Sequence, residues 1–305
     1  MNKKRAFAFI ALLCAFVFLI SSCDDAQNKT EDVDDGLTIV ATIFPQYDFA
    51  RAIVGDLGTV TMMMSPESES HTYEPSLRDI ADVGGADIFI YTGSGIDTWA
   101  EDIAALFGDE VISVSTADAV TLIMDDDGDE YDEHIWTSPK NAKSILSLIL
   151  EAIVKADPDN AETYRQRAAE YEEQLDVLDE ELQAVSGALS DKTVVIADRF
   201  PFKYLFDEYE INYIAALDGC SSDSEPSPSV IAEMITTVSD GNIPYVYIVE
   251  FSEGKTASLI SEATGCDVMT LHSCHNVSNE DFDAGVTYID IMRQNVENLR
   301  LLADG

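Results

Sequence analysis

Asn160–Leu189, NAETYRQRAAEYEEQLDVLDEELQAVSGAL, decides how this chain of 305 residues is put together. The stretch has no proline and one glycine, Gly187, and its apolar residues Tyr164, Ala168, Tyr171, Leu175, Leu178 and Leu182 recur at spacings of three and four. That period marks one face of an α-helix. Asp157-Pro158, just before it, supplies an N-cap and a first-turn proline. At 1.5 Å per residue, a helix of about 30 residues spans roughly 45 Å. This is the reach of a rigid strut between two lobes; a coiled-coil dimerisation arm with a short seam is the alternative.

Outward from the strut, strand-like and helix-like runs alternate on both sides. Before it, Leu37–Phe44 (LTIVATIF), Thr59–Met64, Ile88–Tyr91 and Val111–Ser113 read as strands, and Tyr47–Val54, Ser76–Val83, Thr98–Leu106 and Pro139–Lys155 as helices. After it, strands are predicted at Thr193–Ala197, Tyr213–Ala215, Tyr245–Glu250 and Asp267–Leu271. Helices are predicted at Phe202–Tyr209, Ser229–Ser239, Thr256–Thr264 and Val286–Ala303. Such alternation predicts parallel sheets. The expected fold is therefore α/β: two Rossmann-like lobes, 37–157 and 191–305, joined by the helix 158–190, with any ligand in the cleft. With 46% hydrophobic and 25% charged residues, the chain can bury a core in each lobe.

The ends and the charge bear on compartment. Lys3, Lys4 and Arg5 precede the apolar run Ala6–Ile20, too short and wrongly flanked for a membrane span and suited to an export signal. The run closes in Ile20-Ser21-Ser22-Cys23, which resembles the lipobox at which bacterial lipoproteins are cleaved and acylated. Residues 1–22 are thus expected to be removed, Cys23 to carry lipid, and the polar segment 23–36 to tether the protein to the outer face of the cytoplasmic membrane. A formal net charge of −41 argues against nucleic acid as a partner and favours cations. Cys220, Cys266 and Cys274 remain in a disulfide-permissive compartment; Cys220–Cys274 is the preferred pair, with Cys266–Cys274 the competitor.

The chain has only four histidines, His71, His134, His272 and His275, each just beyond a strand or in a loop. Ligand sites in doubly wound lobes form outside the carboxyl ends of the strands, so residues from both lobes can converge there. Imidazole is the commonest ligand for zinc, copper and nickel, and four satisfy tetrahedral zinc without a thiolate. His272 and His275 have the spacing of a chelating pair. The acidic run Asp125–Glu133 (DDDGDEYDE) precedes His134 but fails the EF-hand pattern, with Ile123 in the first ligand position. It reads either as a mobile flap or as a cation collector. HExxH, GxSxG, phosphate-loop and CxxC motifs are all missing, so no catalysis is expected.

Several segments together carry a family resemblance. Ile39–Gly55 (IVATIFPQYDFARAIVG), His71-Thr-Tyr-Glu-Pro75, Ala86–Ile90, Gly93-Ser-Gly95, Glu133-His134-Ile-Trp136, Pro139-Lys-Asn141, Asp157-Pro158, Glu225-Pro226-Ser227 and Tyr288–Leu302 occur in one order. In that order they resemble the zinc- and manganese-binding receptor lipoproteins of ATP-binding-cassette importers, the cluster A-I type. The resemblance implies a monomer that captures a metal in the cleft and hands it to an importer permease. It places His71 and His134 on the family's first two ligand positions, Arg199 on the third and His272 on the fourth. Because arginine cannot bind a cation, His275 is expected to replace the third ligand, with Arg199 paired to a carboxylate such as Glu74 or Asp198. Nitrogen ligands favour Zn2+ over Mn2+ as the transported ion. A secreted zinc hydrolase using Glu133 as base and a metal-linked surface adhesin are the other readings.

Overall fold

Four short apolar runs in each half of the chain become parallel strands. In the computed structural model, which describes residues 36–68, 73–93, 97–124, 131–217 and 225–304, the first sheet holds β1 (Leu37–Ala41), β2 (Gly58–Met62), β3 (Ile88–Tyr91) and β4 (Ile112–Ser115) in the order β2-β1-β3-β4. The second holds β5 (Val194–Ile196), β6 (Tyr213–Ala215), β7 (Tyr245–Ile248) and β8 (Asp267–Thr270) in the order β6-β5-β7-β8. Every pairing is parallel, with Val40 opposite Phe89 in the first sheet and Ile196 opposite Tyr247 in the second. The central strands are predominantly apolar and buried, with Thr38 the polar exception in β1, as parallel strands covered on both faces require, whereas the outer β2 (GTVTM) alternates.

The helices follow the strands. They are α1 (Phe44–Val54), α2 (Leu77–Gly84), α3 (Thr98–Phe107), α4 (Pro139–Ala156), α5 (Ala161–Ala188), α6 (Lys203–Glu208), α7 (Pro228–Gly241), α8 (Lys255–Thr264), α9 (Asn279–Ala284) and α10 (Tyr288–Asp304). Serine hydroxyls cap four of them: Ser76, Ser138, Ser227 and Ser278 each accept a backbone N–H from three residues on. The sequence reading ran the last segment as one helix from Val286 and missed α9. Gly285, at φ 74°, ends that short helix before α10 begins.

The strut is α5, 28 residues long and about 42 Å at the standard rise. Its predicted stripe, extended by Val185, is buried, and it packs against α4, α10 and α1. The apolar face is consumed within the chain, so the coiled-coil arm is not how this helix is used. A buried carboxylate fastens it. Asp48 on α1 accepts from the Tyr171 hydroxyl (2.6 Å) on α5 and the Tyr288 N–H (2.9 Å) at the start of α10, beside the Arg51 guanidinium at 2.6 Å. Burial raises the Asp48 carboxyl above its ordinary value despite Arg51 and these donors. The proton-linked part of its contribution to stability is therefore fully present below the ordinary carboxylate value and is lost as pH rises through the folded value, while the hydrogen bonds it accepts remain. Asp48→Ala strands two buried donors at about 1–3 kcal/mol each. A loss of about 2–6 kcal/mol is expected in urea unfolding at pH 7, with the slope unchanged.

Among the described residues no helix is long and apolar enough to cross a membrane. Residues 1–35, with the expected signal, Cys23 and most of the tether, lie outside them.

Candidate metal centre

Both sheets switch direction at equivalent places, between β1 and β3 and between β5 and β7, where doubly wound folds bind ligands. In the first lobe the switch point is filled by a buried polar knot. Asp97 accepts from the Thr42 hydroxyl (2.7 Å), the Thr92 N–H (2.7 Å) and the Gly93 N–H (2.9 Å), and Gln46 bonds both threonines. Gly93 adopts φ 85° there, a conformation suited to glycine.

His134 sits one residue ahead of a helical turn, Ile135–Thr137, and is 1% exposed. Its backbone N–H and its Nδ1 both meet Asp132 Oδ1, at 2.9 and 3.2 Å. A carboxylate holding Nδ1–H leaves the Nε2 lone pair for a metal, the usual support of a ligating histidine. Burial works to raise the Asp132 carboxyl, but the charge and hydrogen bonds of His134, with Lys203, hold it below its ordinary value. From the second lobe, the Tyr204 hydroxyl donates to the Asp132 carbonyl and accepts from Ile123 N–H, both at 3.0 Å. Burial pushes that hydroxyl up to about 12, which keeps it a donor.

The other wall is the turn 272–275, beyond β8. His275 lies edge-to-face with His134, ring centroids 5.9 Å apart, and Trp136 stands beside both, at 5.5 Å from His134 and 5.3 Å from His275. The Trp136 Nε1–H donates to the Ser273 carbonyl (2.8 Å), and Phe44 N–H donates to the His275 carbonyl (3.4 Å). His272 has different neighbours. Its Nδ1 accepts the Cys274 N–H (2.9 Å), lies 3.8 Å from Glu250 Oε2, and its ring faces Phe251. With Nδ1 accepting, the neutral ring carries its proton on Nε2 and offers a metal no lone pair.

His71 lies outside the described residues, whereas residues 65–68 lie within them. Asn276, next after His275, donates to the carbonyls of Ser65 and Ser68, both at 2.9 Å. Glu67 N–H donates to the Val277 carbonyl (2.9 Å), and the Glu67 carboxylate accepts from Asn279. Among the described residues no three His, Cys, Asp or Glu side chains form a metal-holding group.

The remaining predicted residues fall as follows. Cys274 is a free thiol, fully buried in the main core, and Cys266 is also free and buried. The competing Cys266–Cys274 pair is therefore not formed; Cys220 of the preferred pair lies outside the described residues. The Ser-rich surroundings suggested an exposed loop, whereas the turn tucks Cys274 inward. The Arg199 N–H donates to Asp198 Oδ1 (2.8 Å), and Glu74 is solvent-exposed. Arg199, Asp198, Glu225, Glu253 and Lys255 line a cavity of about 510 Å3 at the carboxyl ends of β5 and β7. Asp132, Glu250, Ser273 and Asn276 were missed. Only Asp132 left a sequence signal, a carboxylate two residues before a histidine.

The family model for the periplasmic zinc-uptake complex component A, ZnuA, matches residues 39–301. The chain belongs to the ZnuA family. The ZnuA-family relative from Bacillus subtilis strain 168, the high-affinity zinc uptake system protein ZnuA, is 30% identical over 98% of both chains. The zinc-binding lipoprotein AdcA of Streptococcus pneumoniae is 28% identical over 99% of this chain, which spans 61% of AdcA. The crystal structure of the Zn(II)-bound ZnuA-like domain of that AdcA superposes with a TM-score of 0.75 at 30% identity, covering 88% of this chain and all 100% of that domain.

Proposed function

We propose that this chain is the extracytoplasmic zinc-binding component of a zinc-uptake importer of the ATP-binding-cassette type, with Zn2+ as its cargo. The observation that carries this is the pairing across the cleft of buried His134 with half-buried His275, 5.9 Å between rings, in a chain matched over 39–301 by a zinc-uptake family. Cys23 anchors it by lipid to the outer face of the membrane, and it works as a monomer that docks on a permease. The match gives no support to the hydrolase or adhesin readings.

Within this proposal His134, oriented by Asp132, and His275 supply one nitrogen each, and His71 supplies a third. His272 is not a ligand: the Cys274 N–H occupies its Nδ1. This revises the expected order, in which His272 held the fourth family position and His275 compensated for Arg199. Arg199 stays at the cavity wall with Asp198 and takes no part in coordination. Nitrogen donors suit zinc better than manganese.

A chelator-competition titration of two variants tests the ligand set. His275→Ala should weaken zinc by more than about 10-fold, beyond the lower range for losing a supporting partner, and His272→Ala by less than about 3-fold, within the range of that partner's loss or below it. Equal losses, or a larger loss for His272→Ala, would overturn the assignment.

A further inference from the structure

The turn His272-Ser273-Cys274-His275 is held from outside by one carboxylate. Glu250, two residues beyond β7 at the switch point of the second sheet, accepts the Ser273 N–H at Oε2 (2.8 Å) and the Ser273 hydroxyl at Oε1. The same hydroxyl oxygen accepts the His275 N–H at 3.2 Å. Glu250 is therefore linked to the His275 backbone through a single side-chain atom. Ser273 is 4% exposed, so water does not compete for these bonds.

The rest of the turn leaves His275 little freedom. Cys274 has φ 63°, a conformation that non-glycine residues adopt rarely, and its side chain is fully buried in the core. Its N–H is taken by His272 Nδ1, and Asn295 on α10 brackets the His272 backbone, accepting its N–H at 2.8 Å and donating to its carbonyl at 2.7 Å. Such strain persists where the surroundings over-determine it, and it clusters at ligand sites. Asn295 fixes where the turn starts, and Glu250 fixes where it goes.

We infer that Glu250 is a positioning residue for the metal: acting through Ser273, it aims the His275 imidazole at His134 and so sets zinc affinity without touching the ion. This rests on the proposed role of His275. A carboxylate in this place does for a turn what the carboxylate behind a ligating imidazole does for the ring.

The test is a mutant cycle on the whole protein, with zinc alone as the probe in chelator competition and Co2+ as a spectroscopic reporter. Glu250→Ala and Ser273→Ala should each weaken zinc by about 10-fold or more. The double variant should bind no more weakly than the worse single variant, because both changes break one path. Glu250→Gln, which keeps an acceptor for the Ser273 N–H, should recover most of the loss and covers the case in which Glu250→Ala fails to fold. The visible absorption of Co2+-loaded Glu250→Ala should differ from wild type, which a general loss of stability does not produce. Losses that add, or zinc affinity of Glu250→Ala and Glu250→Gln within about 2-fold of wild type, a change of under about 0.4 kcal/mol, overturn the inference. Unchanged affinity in His275→Ala instead removes the ligand assignment beneath it.

Discussion

Zinc binding by the His134→Ala protein is expected to fall by more than about 100-fold, since loss of a supporting partner alone costs about 10–100-fold and this change removes the ligand itself. His134 is 1% exposed and already oriented by Asp132, so little ordering remains to be done when the ion arrives. Asp132→Asn should do less, within that 10–100-fold range, because an amide still accepts the Nδ1–H but brings no charge. Chelator competition on both variants separates the two effects. The pH dependence has a definite sign. Imidazoles bind zinc only when neutral, so affinity should drop as pH falls through the ordinary imidazole range near about 6.5. Asp132, held below its usual value, stays ionised through that range. Its contribution to stability is present above the unfolded carboxylate value of about 3.9 and is lost only as pH falls through the lower, folded one.

Trp136→Ala is expected to cost about 3–5 kcal/mol of folding stability. Trp136 is 1% exposed, its Nε1 reaches Ser273, and its carbonyl accepts the Tyr288 hydroxyl at 2.7 Å. Burial pushes that hydroxyl well above its ordinary value, so it remains a donor. The substitution opens a cavity beside the two histidines and strands the Ser273 carbonyl, while the main-chain carbonyl that accepts the Tyr288 hydroxyl is kept. A shift of the urea midpoint at constant slope measures the loss. Trp136→Phe keeps much of the ring volume and should cost about 1–3 kcal/mol, the range for one unmade buried hydrogen bond. If Trp136→Ala unfolds at the wild-type midpoint, the two walls of the cleft are held together by something other than this residue.

The lobes were legible because their signals are local. LTIVA can only be a strand covered on both faces, and the Tyr164–Leu182 stripe can only be a helix with one buried side. The ends slipped by up to three residues, where caps such as Ser76 and Ser227 rather than periodicity decide the boundary. The centre was legible in part. Four histidines beyond strands pointed to the cleft, and His134 stood in a recognisable motif. What spacing could not convey was direction. His272 and His275 are three residues apart, yet the positive φ of Cys274 and the Glu250–Ser273 bonds give them different neighbours. Asp132 was hidden in an acidic run that read as a mobile flap or a cation collector, although it is buried. The Asn276–Ser65 and Asn276–Ser68 bonds join residues more than 200 positions apart, and no local pattern announces them. The setting of Cys274 was hidden for a related reason: Ser-rich composition suggested an exposed loop, while the turn places Cys274 in the core.

Elemental analysis combined with competition titration of the purified protein, zinc against manganese, tests the central claim most directly. One equivalent of zinc per chain, not displaced by an equal concentration of manganese, is the predicted result. A protein that holds no stoichiometric ion, or that takes manganese as tightly as zinc, contradicts it.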